Sequence, residues 1–311
     1  MTCVLETTKK ARKQPKDLDL LPGETPLDMV RRQGWYAPPD LDEVQRAGIP
    51  LVVSYGGGVD STAVLVEMQR RGIRPDLILF AETYGERPET YRYIEDVMQP
   101  WLRSVGFPQI SRVTIASKHA GLEAQCLATK TLPSLAYGGH SCSLKWKASA
   151  QSKTLNRHEL TKGFWKRTKA DWGIVGRAIR VIGYDASPAD LKRVKKAAGK
   201  DWPKFRFWYP LIDWNLTRER CVALIAGAGL PVPVKSSCFF CPAMKKDEIR
   251  DLARVHPELV IRALLLEKNA AERNTTVAGL GRSWSWTSLV LEEELLPISL
   301  LEAAGILPVA R

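Results

Sequence analysis

The sequence predicts an α/β fold, a Rossmann-like parallel sheet with helices on both faces and a helical C-terminal extension. Three observations predict it. Apolar, β-branched runs of strand length (IPLVVSY, PDLILFAET, ISRVTIA) alternate with segments of helical period. The stretches between these runs are each long enough for a helix, which parallel pairing requires. The chain of 311 residues is 45% apolar and 26% charged, so it can bury a sizeable core.

Each element follows in chain order. Residues 1–20 are polar and charged and read as an arm. Thr25-Pro26 before LDMVRRQGW reads as an N-cap and a proline in the first turn of a short helix. IPLVVSY is the first strand. VDSTAVLVEMQRRGI sets Val59, Ala63, Val66 and Met68 near one face of a helix that ends at Gly72. PDLILFAET is the second strand. PETYRYIEDVMQPWLRSVG opens with Pro88 and is a helix bent or broken near Pro100. ISRVTIA is the third strand, and TLPSLAYGGHSCS is rich in loop formers. AIRVIGYDA is a fourth strand, followed by SPADLKRVKKAAGK, a helix capped by Ser187. FRFWYPLIDW is extended, and LTRERCVALIAGAGL is a helix starting at Thr217. From Pro242 onward the pattern is mostly helical. The chain divides into an N-terminal arm with short helices (1–48), an α/β domain with a basic insert (49–241) and a helical region (242–311).

No run of eighteen apolar residues occurs, so no membrane span is expected. The first residues carry basic groups without an apolar core behind them, which is not a secretory signal. The expected compartment is therefore the cytoplasm. Six cysteines there serve better as metal ligands, reactive thiols or buried apolar groups than as disulfides. The formal charge is +12, and residues 145–206 alone hold seventeen Lys or Arg against five Asp or Glu. Aromatic residues are interleaved through that block, a combination that grips phosphates and stacks on bases. A solvated lysine-rich surface over a Trp-rich core is the plainer alternative.

LVVSYGGGVDST, residues 51–62, puts a glycine turn between a strand and a helix, where backbone N–H groups receive an anion. A P-loop needs Gly-Lys-Ser/Thr, and no lysine occurs between residues 51 and 117. A dinucleotide turn needs spaced glycines, whereas Gly56, Gly57 and Gly58 are consecutive. The turn resembles the PP-loop, the S-G-G-x-D-S signature of the ATP pyrophosphatase superfamily. Gly57, Gly58, Asp60 and Ser61 match it; Gly56 stands where the family has serine, with Ser54 two residues earlier. The resemblance implies ATP cleavage between its α and β phosphates, with pyrophosphate held by the loop and AMP transferred to an acceptor. It implies nucleotide contacts by Ser54, Gly56, Gly57, Gly58, Asp60, Ser61 and Thr62, and Mg2+ near Asp60.

Further segments resemble the phosphoadenosine-phosphosulfate (PAPS) reductase branch. AETYGERPET holds an acidic residue and a Thr-Gly-like turn, which implies nucleotide contacts by Glu82, Thr83 and Gly85. HSCSLKWK pairs Cys142 with Lys145 and Lys147, and IGYDASPADLKR ends a strand in Gly-x-Asp, so Lys145, Lys147, Asp185 and Arg193 would face the site. YPLIDWNLTRERCVALIAGAGLPVPVKSSCFFCPAMKKDE is similar to proteins of phages and DNA phosphorothioation systems. Its Cys238 and Cys241 have the C-x-x-C spacing for one metal centre. With Cys142 they would hold a [4Fe-4S] cluster with one open iron; Cys126 or His140 would close the set, and Zn2+ is the alternative. The reductases' C-terminal catalytic cysteine is missing, since Cys241 is the last. The leading expectation is thus ATP-dependent adenylation and sulfur transfer to a nucleic acid, tRNA or DNA, with a sulfur donor such as a cysteine desulfurase. Reduction of an adenylyl sulfate, and a non-catalytic nucleotide-binding protein with structural zinc, are the alternatives.

Overall fold

Five strands form one all-parallel sheet in the order β3-β2-β1-β4-β5. They are β1 Leu51–Tyr55, β2 Leu77–Ala81, β3 Ile110–Val113, β4 Ala178–Ile182 and β5 Phe205–Trp208. This is a computed structural model; it describes residues 20–198, 200, 202–273 and 276–308. The expected arm up to residue 19, with Cys3, lies outside the described residues. β1 sits centrally, Val53 pairing with Ile78 on one side and Val181 on the other. Its residues are apolar at nearly every position because helices cover both faces, as parallel sheets require.

The helices run in chain order as α1 Pro26–Arg32, α2 Leu41–Arg46, α3 Val59–Arg70, α4 Pro88–Arg92, α5 Gln99–Ser104, α6 Leu122–Thr129, α7 Ser149–Arg157 and α8 Glu159–Trp172. They continue as α9 Pro188–Ala197, α10 Pro210–Asp213, α11 Arg218–Gly227, α12 Lys246–Val255, α13 Pro257–Ala271, α14 Trp286–Glu292 and α15 Ile298–Ala303. Thr25 caps α1 through a reciprocal pair with Asp28, as the sequence suggests. α3 is buried almost all round, not on one face, because it lies between the sheet and α11.

The distortion expected near Pro100 takes the form of a π-helical stretch, Tyr93–Met98, just before α5. The sequence reading differs from the structure at two other places. Ser187 precedes α9 in extended backbone, but its hydroxyl makes no cap; its carbonyl receives the N–H groups of Asp190 and Leu191. FRFWYPLIDW is a strand only to Trp208, because Pro210 starts the short α10.

Two cores flank the sheet. One joins Val53, Ile78 and Val181 to α1, α3 and α11. The other joins Val52 and Leu79 to Trp146, Leu155 and Phe164, and to Leu252, Leu264 and Trp286 of the C-terminal helices. The helical region after residue 242 therefore shares its core with the sheet. No helix among the described residues is long and apolar enough to cross a membrane.

Candidate functional site

The strand order reverses between β1 and β4, and the loops leaving the two strands diverge there. Open parallel sheets bind ligands at this point. The chain has a cleft of about 520 Å³ at that position. One wall is the glycine turn and the start of α3; the other runs from Ile182 to Arg193, with Lys147, Arg218, Lys235 and Ser236 completing the rim.

The turn brings backbone donors close to the cleft. Gly57 has φ +78°, and a Cβ there would lie 2.7 Å from Cγ2 of Thr90. Gly58 precedes α3 without a side-chain cap, so the first N–H groups of the helix have no acceptor within it. Gly183 lets β4 approach α3: a Cβ would meet the Ser61 backbone nitrogen at 3.0 Å. Gly56 donates its N–H to Ser61 Oγ at 3.1 Å, and the Ser61 hydroxyl lies 3.1 Å from Gly58 O. Ser54 donates its hydroxyl to Gln151 at 2.8 Å. The hydroxyl nearest Gly56 from elsewhere in the chain is that of Ser236, which donates to the Gly56 carbonyl and lies 3.0 Å from the Glu86 carboxylate.

Charge in the cleft is mixed. Oxygens of Asp60, Asp185 and Asp190 lie within 4.8 Å of one another. Arg218 binds Asp60 Oδ2 at 2.7 Å, while Asp60 Oδ1 is buried without a partner. Burial raises the Asp60 carboxyl and Arg218 pulls it back down. Burial pushes Asp190 up to about 6, against the pull of Arg193 at 2.7 Å. Carboxylate oxygens so gathered are the donor set that hard divalent cations take, and the unpartnered Oδ1 fits Mg2+. Lys147, Arg193, Arg218 and Lys235 line the cleft, each paired with a carboxylate: Glu86, Asp190, Asp60 and Glu248 respectively.

Of the residues expected from the sequence, Ser54, Gly56, Gly58, Asp60, Ser61, Lys147, Asp185 and Arg193 line the cleft, with Gly57 in the turn. The rest do not. Thr62 is fully buried, 3.1 Å from the Tyr55 hydroxyl. Glu82 is buried, accepting from the Tyr84 N–H at 2.6 Å and the Tyr91 hydroxyl at 2.7 Å. Thr83 Oγ1 lies 3.3 Å from Cys238 Sγ, and the Gly85 carbonyl accepts from the Phe239 N–H at 2.7 Å. The Thr-Gly turn thus supports the cysteine turn. Lys145 bonds Gln125 and lies over Trp146, in a separate pocket with Cys126 and Cys142. Sequence reasoning missed Glu86, Asp190, Arg218, Lys235 and Ser236 as site residues. Arg218 stood in the helix start Thr-Arg, and Ser236 two residues before the C-x-x-C pair, where capping and thiols drew the reading.

Cys238 and Cys241 close a tight turn, the Cys241 N–H donating to the Cys238 carbonyl at 3.0 Å. Burial pushes the Cys238 thiol up to about 12, with Glu86 adding and Lys147 opposing. Burial also raises Cys241, where the charge of Cys142 adds. Burial pulls Lys147 down, but Glu86 at 3.1 Å and the two cysteines more than offset it. Two thiols, Cys238 and Cys241, thus lie near Lys147, and Cys142 approaches Cys241 from the side of the neighbouring pocket. Among the described residues Cys142, Cys238 and Cys241 do not close to within 4.8 Å of one another as the aspartates do, so the expected three-cysteine set is not gathered. Cys126, beside Cys142, has its thiol pushed up to about 12 by burial.

Protein-family models and curated proteins contain no match to this chain.

Proposed function

We propose that the chain is a PAPS reductase-like ATP pyrophosphatase that adenylates an acceptor for sulfur transfer to nucleic acid. The observation that carries this reading is the glycine turn at the switch point of a parallel sheet, with Asp60 at the start of its helix and Asp185, Asp190 and four cations around the same cleft. An acceptor oxygen attacks the α phosphorus, the bond to the α–β bridging oxygen breaks, and pyrophosphate leaves with that electron pair. The open N–H groups of α3 and the cations of Lys147, Lys235, Arg193 and Arg218 stabilise the departing charge, preorganised in a partly closed cleft. Asp60, Asp185 and Asp190 would hold Mg2+, which neutralises phosphate charge when bound. The acceptor oxygen then leaves as AMP when a sulfur nucleophile displaces it.

Cys142, Cys238 and Cys241, if drawn together, would hold an iron–sulfur cluster, which when bound supplies a site for sulfide. The chain's own contribution is geometric: Lys147 and Glu86 stand between the cleft and the cysteine turn, so adenylate and sulfur source share one wall. Unpaired thiols of this kind suit a reducing compartment, the cytoplasm, with a cysteine desulfurase as donor.

Anaerobic purification tests the metal part: iron and acid-labile sulfide in fixed ratio to protein are expected, and a colourless zinc protein would remove it. Asp60→Asn tests the rest. Pyrophosphate release should fall at least a hundredfold, and an unchanged rate would sink the role given to Asp60.

A further inference from the structure

Beside β5 a row of aromatic rings, most of them half-buried, runs toward the cleft. Trp202 meets Phe207 edge-on at 5.1 Å. Phe207 and Tyr209 lie nearly parallel at 6.4 Å, and Tyr209 stacks on Tyr184 at 5.4 Å with an interplanar angle of 4°. Tyr184 stands between Gly183 and Asp185 of the cleft wall. Tyr209 is buried and anchors the row, whereas Trp202 is 36% exposed and Phe207, Trp35 and Tyr184 are half-buried.

Cations accompany the rings. Lys195 lies 4.9 Å above Trp35, and Arg193 lies 5.6 Å above Tyr184. Arg206, beside Phe207, holds the carbonyls of Ala37 and Pro38. Lys195, Lys196 and Lys200 have no carboxylate partner among the described residues. A pocket of about 270 Å³ opens between Trp35, Trp202 and Phe207, and its described lining contains no acidic side chain. α9 connects the two places: Asp190 near its start lines the cleft, and Ala197 at its end lines the pocket. Its ten residues span about 15 Å, a few nucleotides of extended strand.

We propose that this row of rings and lysines binds a single-stranded polynucleotide and leads it into the cleft. Bases would stack on Trp202, Phe207 and Trp35, and the backbone would follow α9. A duplex keeps its bases stacked on one another and has no use for exposed ring faces, whereas a single strand does. The inference rests on the reading that the acceptor is a nucleic acid.

Fluorescence anisotropy with labelled single-stranded RNA and DNA, and with the matching duplex, tests it across a range of salt. Trp202→Ala should weaken single-strand binding by about five- to a hundredfold at unchanged salt slope. Phe207→Leu, which keeps an apolar side chain and removes the ring, should weaken it similarly while folding normally. Lys195→Gln should lower the salt slope by about one and leave pyrophosphate affinity within about twofold. Normal binding by both ring variants would overturn the path while leaving nucleic acid as the acceptor class. Equal affinity for the duplex would overturn single-strand selection. If the unaltered protein bound no polynucleotide while still binding pyrophosphate, the acceptor class itself would fall, and this inference with it.

Discussion

At the scale of single residues, the chain places several carboxylates where water reaches them poorly. Asp213 is the clearest outside the cleft. Its Oδ2 accepts from Trp208 Nε1 at 2.6 Å and from the Tyr36 hydroxyl at 2.9 Å, while Oδ1 is buried without a partner. Burial pushes this carboxyl up to about 6, above its usual 3.8, and the two hydrogen bonds only partly oppose it. A carboxyl with a raised folded pKa contributes its full stability below the unfolded value and loses it as pH rises through the folded one. The protein should therefore lose on the order of 3 kcal/mol through this group between pH 3.8 and about 6. Asp213→Asn should flatten that part of a thermal-melting profile against pH and raise the melting temperature at neutral pH. An unaltered profile would show that the carboxyl titrates normally. The sequence offered no signal for Asp213, because burial of one oxygen is a tertiary property.

At the scale of elements, the chain shows which motifs can be read locally. The glycine turn was legible because its function is backbone geometry between adjacent elements, and Gly57→Ala should expose it. A methyl at φ +78° and 2.7 Å from Thr90 should cost about 1–3 kcal/mol and weaken pyrophosphate binding more than tenfold. A titration indistinguishable from that of the unaltered protein would contradict the cradle. Lys145 and Lys147 were not separable in sequence. They sit two apart on the π-helical stretch Ser143–Ala148, so they point in different directions, Lys147 to Glu86 and Lys145 to Gln125. Lys147→Met should reduce ATP turnover at least tenfold and Lys145→Met less than threefold; the reverse order would contradict the cleft assignment. The resemblance to the PAPS reductase branch implies nucleotide contacts by Glu82, Thr83 and Gly85. Their polar groups are instead committed to Tyr84, Tyr91 and the cysteine turn. Arg218 and Ser236 reach the cleft from distant segments, and no local periodicity announces such long-range convergence.

At the scale of the whole molecule, the C-terminal helices are part of one core. The sequence suggested a separate helical region after residue 242, since helical period reveals an apolar face but not its partner. Trp286 and Leu264 are fully buried in the cluster that also holds Val52 and Leu79 of the sheet. Leu264→Ala should cost about 2–5 kcal/mol and lower a single melting transition seen by both far-ultraviolet and tryptophan signals. Two separated transitions would show that the halves fold independently. The same assembly sets the cleft, because Lys235 and Ser236 precede the cysteine turn that packs against α12 and α13 in this core. The most direct test of the account is product analysis of ATP turnover with Mg2+ and a single-stranded polynucleotide. AMP and pyrophosphate in equal amounts are predicted. ADP and phosphate, or no cleavage by protein that binds both partners, would contradict it.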